Sequence, residues 1–143
     1  RQDIAKWANQ YDDVVIDAGG RETRTLQSSL LVAERVCIPL RPSQADMDTA
    51  PRMDQLVGQA QSKRVDAGPS AFFLLTMTID ATETKKARKT LQHLSHVSLA
   101  PPQIGDRKVY REALAEGKGA FDMDEEARSE CHHLKLMVDG YYD

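Results

Sequence analysis

Apolar residues along this chain fall into short runs rich in β-branched and aromatic side chains, separated by stretches where apolar positions recur every three or four residues. The first pattern is that of strands buried in a sheet, the second that of amphipathic helices. Asp3 to Asn9 reads as the end of a helix with Ile4, Trp7 and Ala8 on one face, and Trp7 as a core anchor. Val14–Asp17 predicts a first strand, Thr25–Ala33 a short helix and Arg35–Leu40 a second strand. Pro39 cannot donate to a ladder, so the end of that strand belongs at a sheet edge or in a loop. Ser43 with Asp46 three residues on marks a helix start, running to about Gln61; Pro51 inside it predicts a kink or a later start. Ser70–Ile79 is the strongest strand, Glu83–Leu94 a helix, and Val97–Leu99 a short strand that Pro101-Pro102 breaks off. Val109–Glu116 reads as a helix closed by Gly117, and Glu125–Tyr141 as a long terminal helix. Strands alternating with helices predict an α/β fold: a mostly parallel, doubly wound sheet flanked by helices, forming a single domain over residues 1–143.

Composition narrows the class. With 143 residues and 41% of them hydrophobic, the chain can build one core. No apolar stretch approaches the roughly 18 residues of a membrane span, and no secretory signal pattern opens the chain. Cys37 and Cys131 form no close-spaced pair and read as buried free thiols of a reducing compartment. The net charge of −3 gives no overall attraction to nucleic acid. Its distribution is uneven, however. Residues 83–118 carry eight bases against four acids, whereas residues 119–143 carry two bases against seven acids. A basic zone beside an acidic tail is the asymmetry that can mark a polyanion-binding face.

Candidate chemistry gathers first at Tyr11–Arg21. If Val14, Val15 and Ile16 form a buried strand, Asp17 stands at its carboxyl end, the edge where open α/β sheets bind ligands. Gly19 and Gly20 offer amide donors without side chains in the way. An acid able to hold hydrated Mg²⁺ beside such amides is the Walker B and switch II half of a P-loop nucleotide site; otherwise the segment is a strand ending in a Gly-Gly turn. Arg21 and Arg24 follow and are suited either to a partner subunit or to solvent. The second candidate is the basic zone: Lys85, Lys86, Arg88 and Lys89 open one predicted helix, and Arg107, Lys108 and Arg111 the next. Helix starts bearing such cations can hold phosphates, and they can equally be solvated faces. In the last helix Ala127, Cys131, Leu134, Val138 and Tyr141 form one apolar stripe expected to pack on the sheet. Its other face carries Glu125, Glu126, Glu130 and Asp139, which excludes a basic membrane-surface helix. Adjacent His132 and His133 point about 100° apart on a helix and make poor co-ligands.

The order of these segments resembles the carboxyl-terminal half of the ParA-type partition ATPases, the deviant-Walker P-loop group that includes MinD-like proteins. The resemblance rests on the strand ending in Asp17-Ala18-Gly19-Gly20 and on Val36–Leu40 running into Arg41-Pro42-Ser43 with Asp46. It continues in Arg107-Lys108-Val109-Tyr110 with Glu112-Ala113 and Gly117, and in Ala127-Arg128-Ser129-Glu130. It covers nearly the whole chain. The family implies ATP and Mg²⁺ as cofactors, with Asp17 holding the metal through water and Gly20 presenting its amide to the γ-phosphate. By the same resemblance Gly19, Thr76, Met77, Pro101 and Pro102 contribute to nucleotide binding. It further implies an ATP-dependent homodimer that binds DNA non-specifically through the basic zone, a centromere-binding partner protein that stimulates hydrolysis, and a nucleoid-associated, cytoplasmic location without membrane recruitment. The family's P-loop is missing: the sole Gly-Lys pair, Gly117-Lys118, lacks the upstream glycine. A chain that opens at Arg1, in what reads as the helix before the Walker B strand, is therefore expected to be a portion inactive in ATP hydrolysis by itself. A metabolic P-loop enzyme of the same superfamily and a non-enzymatic DNA-binding or regulatory remnant stay open as alternatives.

Overall fold

The computed structural model describes residues 6–19, 24–66 and 68–140. Three strands, β1 (Arg35–Leu40), β2 (Ser70–Thr78) and β3 (Ser98–Gly105), form one all-parallel sheet in the order β1-β2-β3. The helices that flank them are α1 (Arg24–Leu30), α2 (Gln44–Ser62), α3 (Ala81–Leu91), α4 (Lys108–Ala115) and α5 (Glu125–Asp139). The chain is thus α/β, with helices against both faces of the sheet.

Chain order and handedness explain which helix covers which face. Both strand-to-strand crossovers, through α2 and α3, step the same way across the sheet, and crossovers of one hand place both helices on one side. That side holds the larger core, where Ile38, Leu40, Ala71, Phe73 and Leu75 meet Leu26 and Leu30 of α1, Leu56 and Val57 of α2, and Ala87 and Leu91 of α3. The alternate residues of β2, Phe72 and Leu74, point the other way, onto Ala100 of β3 and Met137 of α5. A β2 that is buried over Ala71–Leu75 on both faces is what the unbroken apolar run requires.

Helix boundaries follow local chemistry. The Ser43 side chain accepts from the Asp46 amide at 3.3 Å, so α2 begins at the predicted cap. It continues through an exposed Pro51 to Ser62 as one helix. Asp80 caps α3, taking the Thr82 and Glu83 amides at 2.6 and 2.8 Å, which moves the helix start two residues ahead of the expected Glu83. Gly117 follows α4 at φ +65° and Gly140 follows α5 at φ +88°, left-handed positions that end a helix at little cost only in glycine.

Several expectations are corrected. Residues 13–19 form no strand: Val14–Asp17 has no ladder partner, and β1 pairs with β2 alone among the described residues. β-branched residues make a strand only where a neighbouring strand takes their backbone groups, and here Val15 is left 94% exposed. Trp7 is 54% exposed rather than a core anchor, in a helical turn at residues 6–8. Cys37 is exposed on edge strand β1, not buried, and Cys131 is half-buried. Pro101-Pro102 does not end the third strand. β3 runs through both prolines because the register slips there, with Phe73 opposite Leu99 but Leu75 opposite Gln103. The irregularity takes the two residues that lack an N–H out of the regular ladder. In α5 the buried residues are Ala127 and Met137, while Val138 is 46% exposed and Tyr141 lies outside the described residues. The inward stripe is therefore Ala127, Glu130, Leu134 and Met137, and it contains an acid.

Candidate functional site

All three strands run the same way, so their carboxyl ends gather at one edge, and two adjoining clefts open there. The first, of about 420 Å³, is lined by Pro39, Thr76, Met77, Ile104 and Tyr110, together with Arg41, Asp46 and Arg111. The second, of about 470 Å³, is lined by Thr78, Asp80, Lys85, Arg88, Gln103 and Glu130. Gly105 and Arg107 line both. They form the common wall.

The apolar cleft carries the one non-glycine residue with positive φ among the described residues. Met77 has φ +52°, a left-handed conformation that L side chains rarely hold. The bend lies where the β2–β3 register slips again, between Leu75 and Thr78, and leaves Met77 43% exposed beside the cleft. Strained backbone persists where surrounding structure over-determines it, commonly at ligand sites. Thr76 is fixed by donating from Oγ1 to the Leu40 carbonyl at 3.3 Å, which ties the ends of β2 and β1 together.

Glu130 organises the common wall. Its carboxylate accepts from the Gly105 amide at 3.2 and 3.3 Å, from Arg107 Nε at 3.0 Å and from Tyr110 Oη at 2.6 Å. Arg107 also donates to Glu126. Burial and the Glu130 carboxylate push the Tyr110 phenol well above its ordinary range, so it stays a protonated donor. The same carboxylate raises the Arg107 guanidinium. Tyr110 and Glu130 both belong to the segments that carry the family resemblance, and Glu130 also to the acidic face of the last helix, but the sequence does not pair them. The available signal was spacing: Glu130 lies three residues after Ala127 and four before Leu134, inside the apolar stripe.

The polar cleft has its own network. Arg88 donates to the carbonyls of Ala100 and Pro101 at 3.2 and 3.0 Å and to Gln103 Oε1 at 3.1 Å, and Gln103 donates on to Thr78 Oγ1 at 3.3 Å. Arg88 therefore clamps the proline irregularity of β3. Arg88→Met keeps the aliphatic stem and deletes every donor; it is expected to lower unfolding free energy by about 2 kcal/mol in urea titration. No loss of stability would show that the irregularity holds itself. The Asp80 carboxyl is held below the usual carboxylate range by the Glu83 and Thr82 amides it accepts from.

The predicted site residues sort unevenly. Thr76 and Met77 come together with Arg107 and Arg111 at the apolar cleft, and Lys85, Arg88 and Arg107 at the polar one. Pro101 and Pro102 line neither cleft. Asp17 and Gly19 are exposed and line neither, and a Cβ on Gly19 would meet nothing within 4 Å. Gly20 lies outside the described residues. Within the basic zone Arg107 pairs with Glu126 and Glu130, Lys108 with Glu112, Arg111 with Asp106 at 2.8 Å and Lys118 with Glu116 at 2.8 Å. Lys85, Lys86 and Lys89 are exposed on α3. At spacings of one, three and four residues they span about 100° of its surface.

Compared with known protein-family models and with curated proteins, the chain matches none. No helix among the described residues is long and apolar enough to cross a membrane.

Proposed function

We propose that this chain is the carboxyl-terminal portion of a ParA-type partition ATPase, holding the base side of an ATP site at the apolar cleft and a DNA-binding face at the α3 lysines. The observation that carries the reading is the apolar cleft at the carboxyl edge of a parallel sheet, bearing Thr76 and a backbone-strained Met77 where a nucleotide base would lie. Phosphates and Mg²⁺ would be held by Asp17, Gly19 and Gly20 together with a P-loop that these 143 residues do not contain. Asp17 would take that place once residues 13–19 acquire a strand partner. In the same reading ATP drives homodimerisation, the dimer binds DNA without sequence preference, and a centromere-bound partner triggers hydrolysis by positioning and charge stabilisation.

Photolabelling with 8-azido-ATP tests the base site directly. Covalent label is expected on peptides from the β2 end (Thr76–Thr78) and from Gly105–Arg111, competed by ATP. Label confined to other peptides, or no competable label, would overturn the assignment. A second reading, a non-enzymatic polyanion-binding protein, draws on the α3 lysines, which stand exposed on one sector of that helix.

A further inference from the structure

We infer that Glu130 is a positioning residue of the apolar cleft, holding Tyr110 and Arg107 where they meet the base of a bound nucleotide. The inference rests on the reading of that cleft as a base site. It starts from an anomaly in α5: an acid occupies the stripe that packs toward the sheet, three residues from fully buried Ala127 and seven from Met137. Burying a carboxylate is unfavourable unless its oxygens find donors. Here the donors are the backbone of Gly105, the guanidinium of Arg107 and the phenol of Tyr110. All three residues line the apolar cleft, and Glu130 itself does not. Its side chain is only 16% exposed. It lines the polar cleft on the far side of the wall.

Three consequences follow from that geometry. Tyr110 is pinned at its hydroxyl end, so its ring cannot swing into the cleft or away from it. Arg107 is anchored through Nε, which fixes the plane of its guanidinium. The strand end at Gly105 is also held close: a Cβ there would sit 3.3 Å from both Arg107 Nε and Glu130 Oε1. A planar ring entering the cleft then meets a wall already in place. Without the carboxylate that wall must be ordered on binding, which weakens affinity.

The test is an NMR titration of the chain with ATP and, separately, with inorganic tripolyphosphate, read at the Gly105 amide. Glu130→Gln is the main variant, and its amide dispersion reports folding. Tyr110→Phe removes one hydroxyl and serves if Glu130→Gln does not fold. Glu130→Gln is expected to raise the ATP Kd about fivefold or more, and Tyr110→Phe about threefold. Tripolyphosphate binding should be unchanged or slightly tighter, because a negative charge has gone. A merely electrostatic role would tighten both ligands, and a merely structural one would weaken both; either result overturns the inference. An ATP Kd within twofold of wild type in a folded Glu130→Gln also overturns it, leaving the base site standing. A wild-type chain that binds ATP no better than tripolyphosphate sinks the base-site reading and this inference with it.

Discussion

Replacing Lys85, Lys86 and Lys89 together by alanine is expected to weaken binding to duplex DNA about a hundredfold at low salt. The slope of log affinity against log salt should flatten by nearly three counterion units. The same experiment on Arg107→Ala should change neither by much. The contrast follows from what each cation already touches. Arg107 is paired with Glu126 and Glu130, and Arg111 with Asp106, so a phosphate approaching them competes with a carboxylate in place. The three lysines stand exposed on one sector of α3, and no ion pair among the described residues involves them. Phosphate contacts from lysine add nearly independently of sequence, so the loss should be equal on unrelated duplexes. Titrations at several salt concentrations, with and without a non-hydrolysable ATP analogue, make the comparison. If the triple variant keeps the wild-type affinity and slope, the DNA-binding reading fails. If wild-type binding ignores the nucleotide, the non-enzymatic reading gains.

This narrowing of the basic zone shows what sequence can and cannot carry. Segment charge correctly marked residues 83–118 as basic, since counting needs no partners. Which cations remain available depends on acids brought near by folding, and Glu126 and Glu130 come from a helix 19 and 23 residues further on. The fold itself was largely legible. The unbroken run from Ser70 fixes a strand buried on both faces, and the Ser43 cap lies where its side chain takes the Asp46 amide. Illegible features were those set by a neighbour. Val14–Ile16 has the composition of a strand, yet no strand among the described residues pairs with it. Pro101-Pro102 looks like a breaker, yet a register slip and the Arg88 clamp carry β3 past it. At the site, the family resemblance named Thr76 and Met77, and spacing put Glu130 in the apolar stripe; the strain at Met77 and the donors that meet Glu130 come from distant elements.

Asp54 gives the sharpest instance of a side chain whose importance no spacing betrays, and its removal is expected to have the largest effect on stability. It sits on α2 with only 6% of its surface exposed, and its Oδ1 accepts from the amides of His96 and Val97 at 2.8 and 2.9 Å. Those amides belong to the loop leading from α3 into β3. One helical turn further along α2, Gly58 leaves room for the His96 ring, which an added Cβ would meet at 2.6 Å. One turn of α2 thus both seats and hydrogen-bonds the approach to β3. Asp54→Ala leaves two backbone donors without their acceptor beside a buried Val97. Each such donor costs about 1–3 kcal/mol, so a loss of about 3 kcal/mol is expected, a large share of the 5–15 kcal/mol typical of a domain. Asp54→Asn retains a side-chain carbonyl that can accept from the same amides. It should lose only about 1 kcal/mol, the difference between a charge-assisted and a neutral acceptor. Urea unfolding of the three proteins, compared at equal m-value, measures both numbers. Were Asp54→Ala as stable as Asp54→Asn, the loop would be held by the packing of Val97 and the His96 ring, and the carboxylate would be incidental to it.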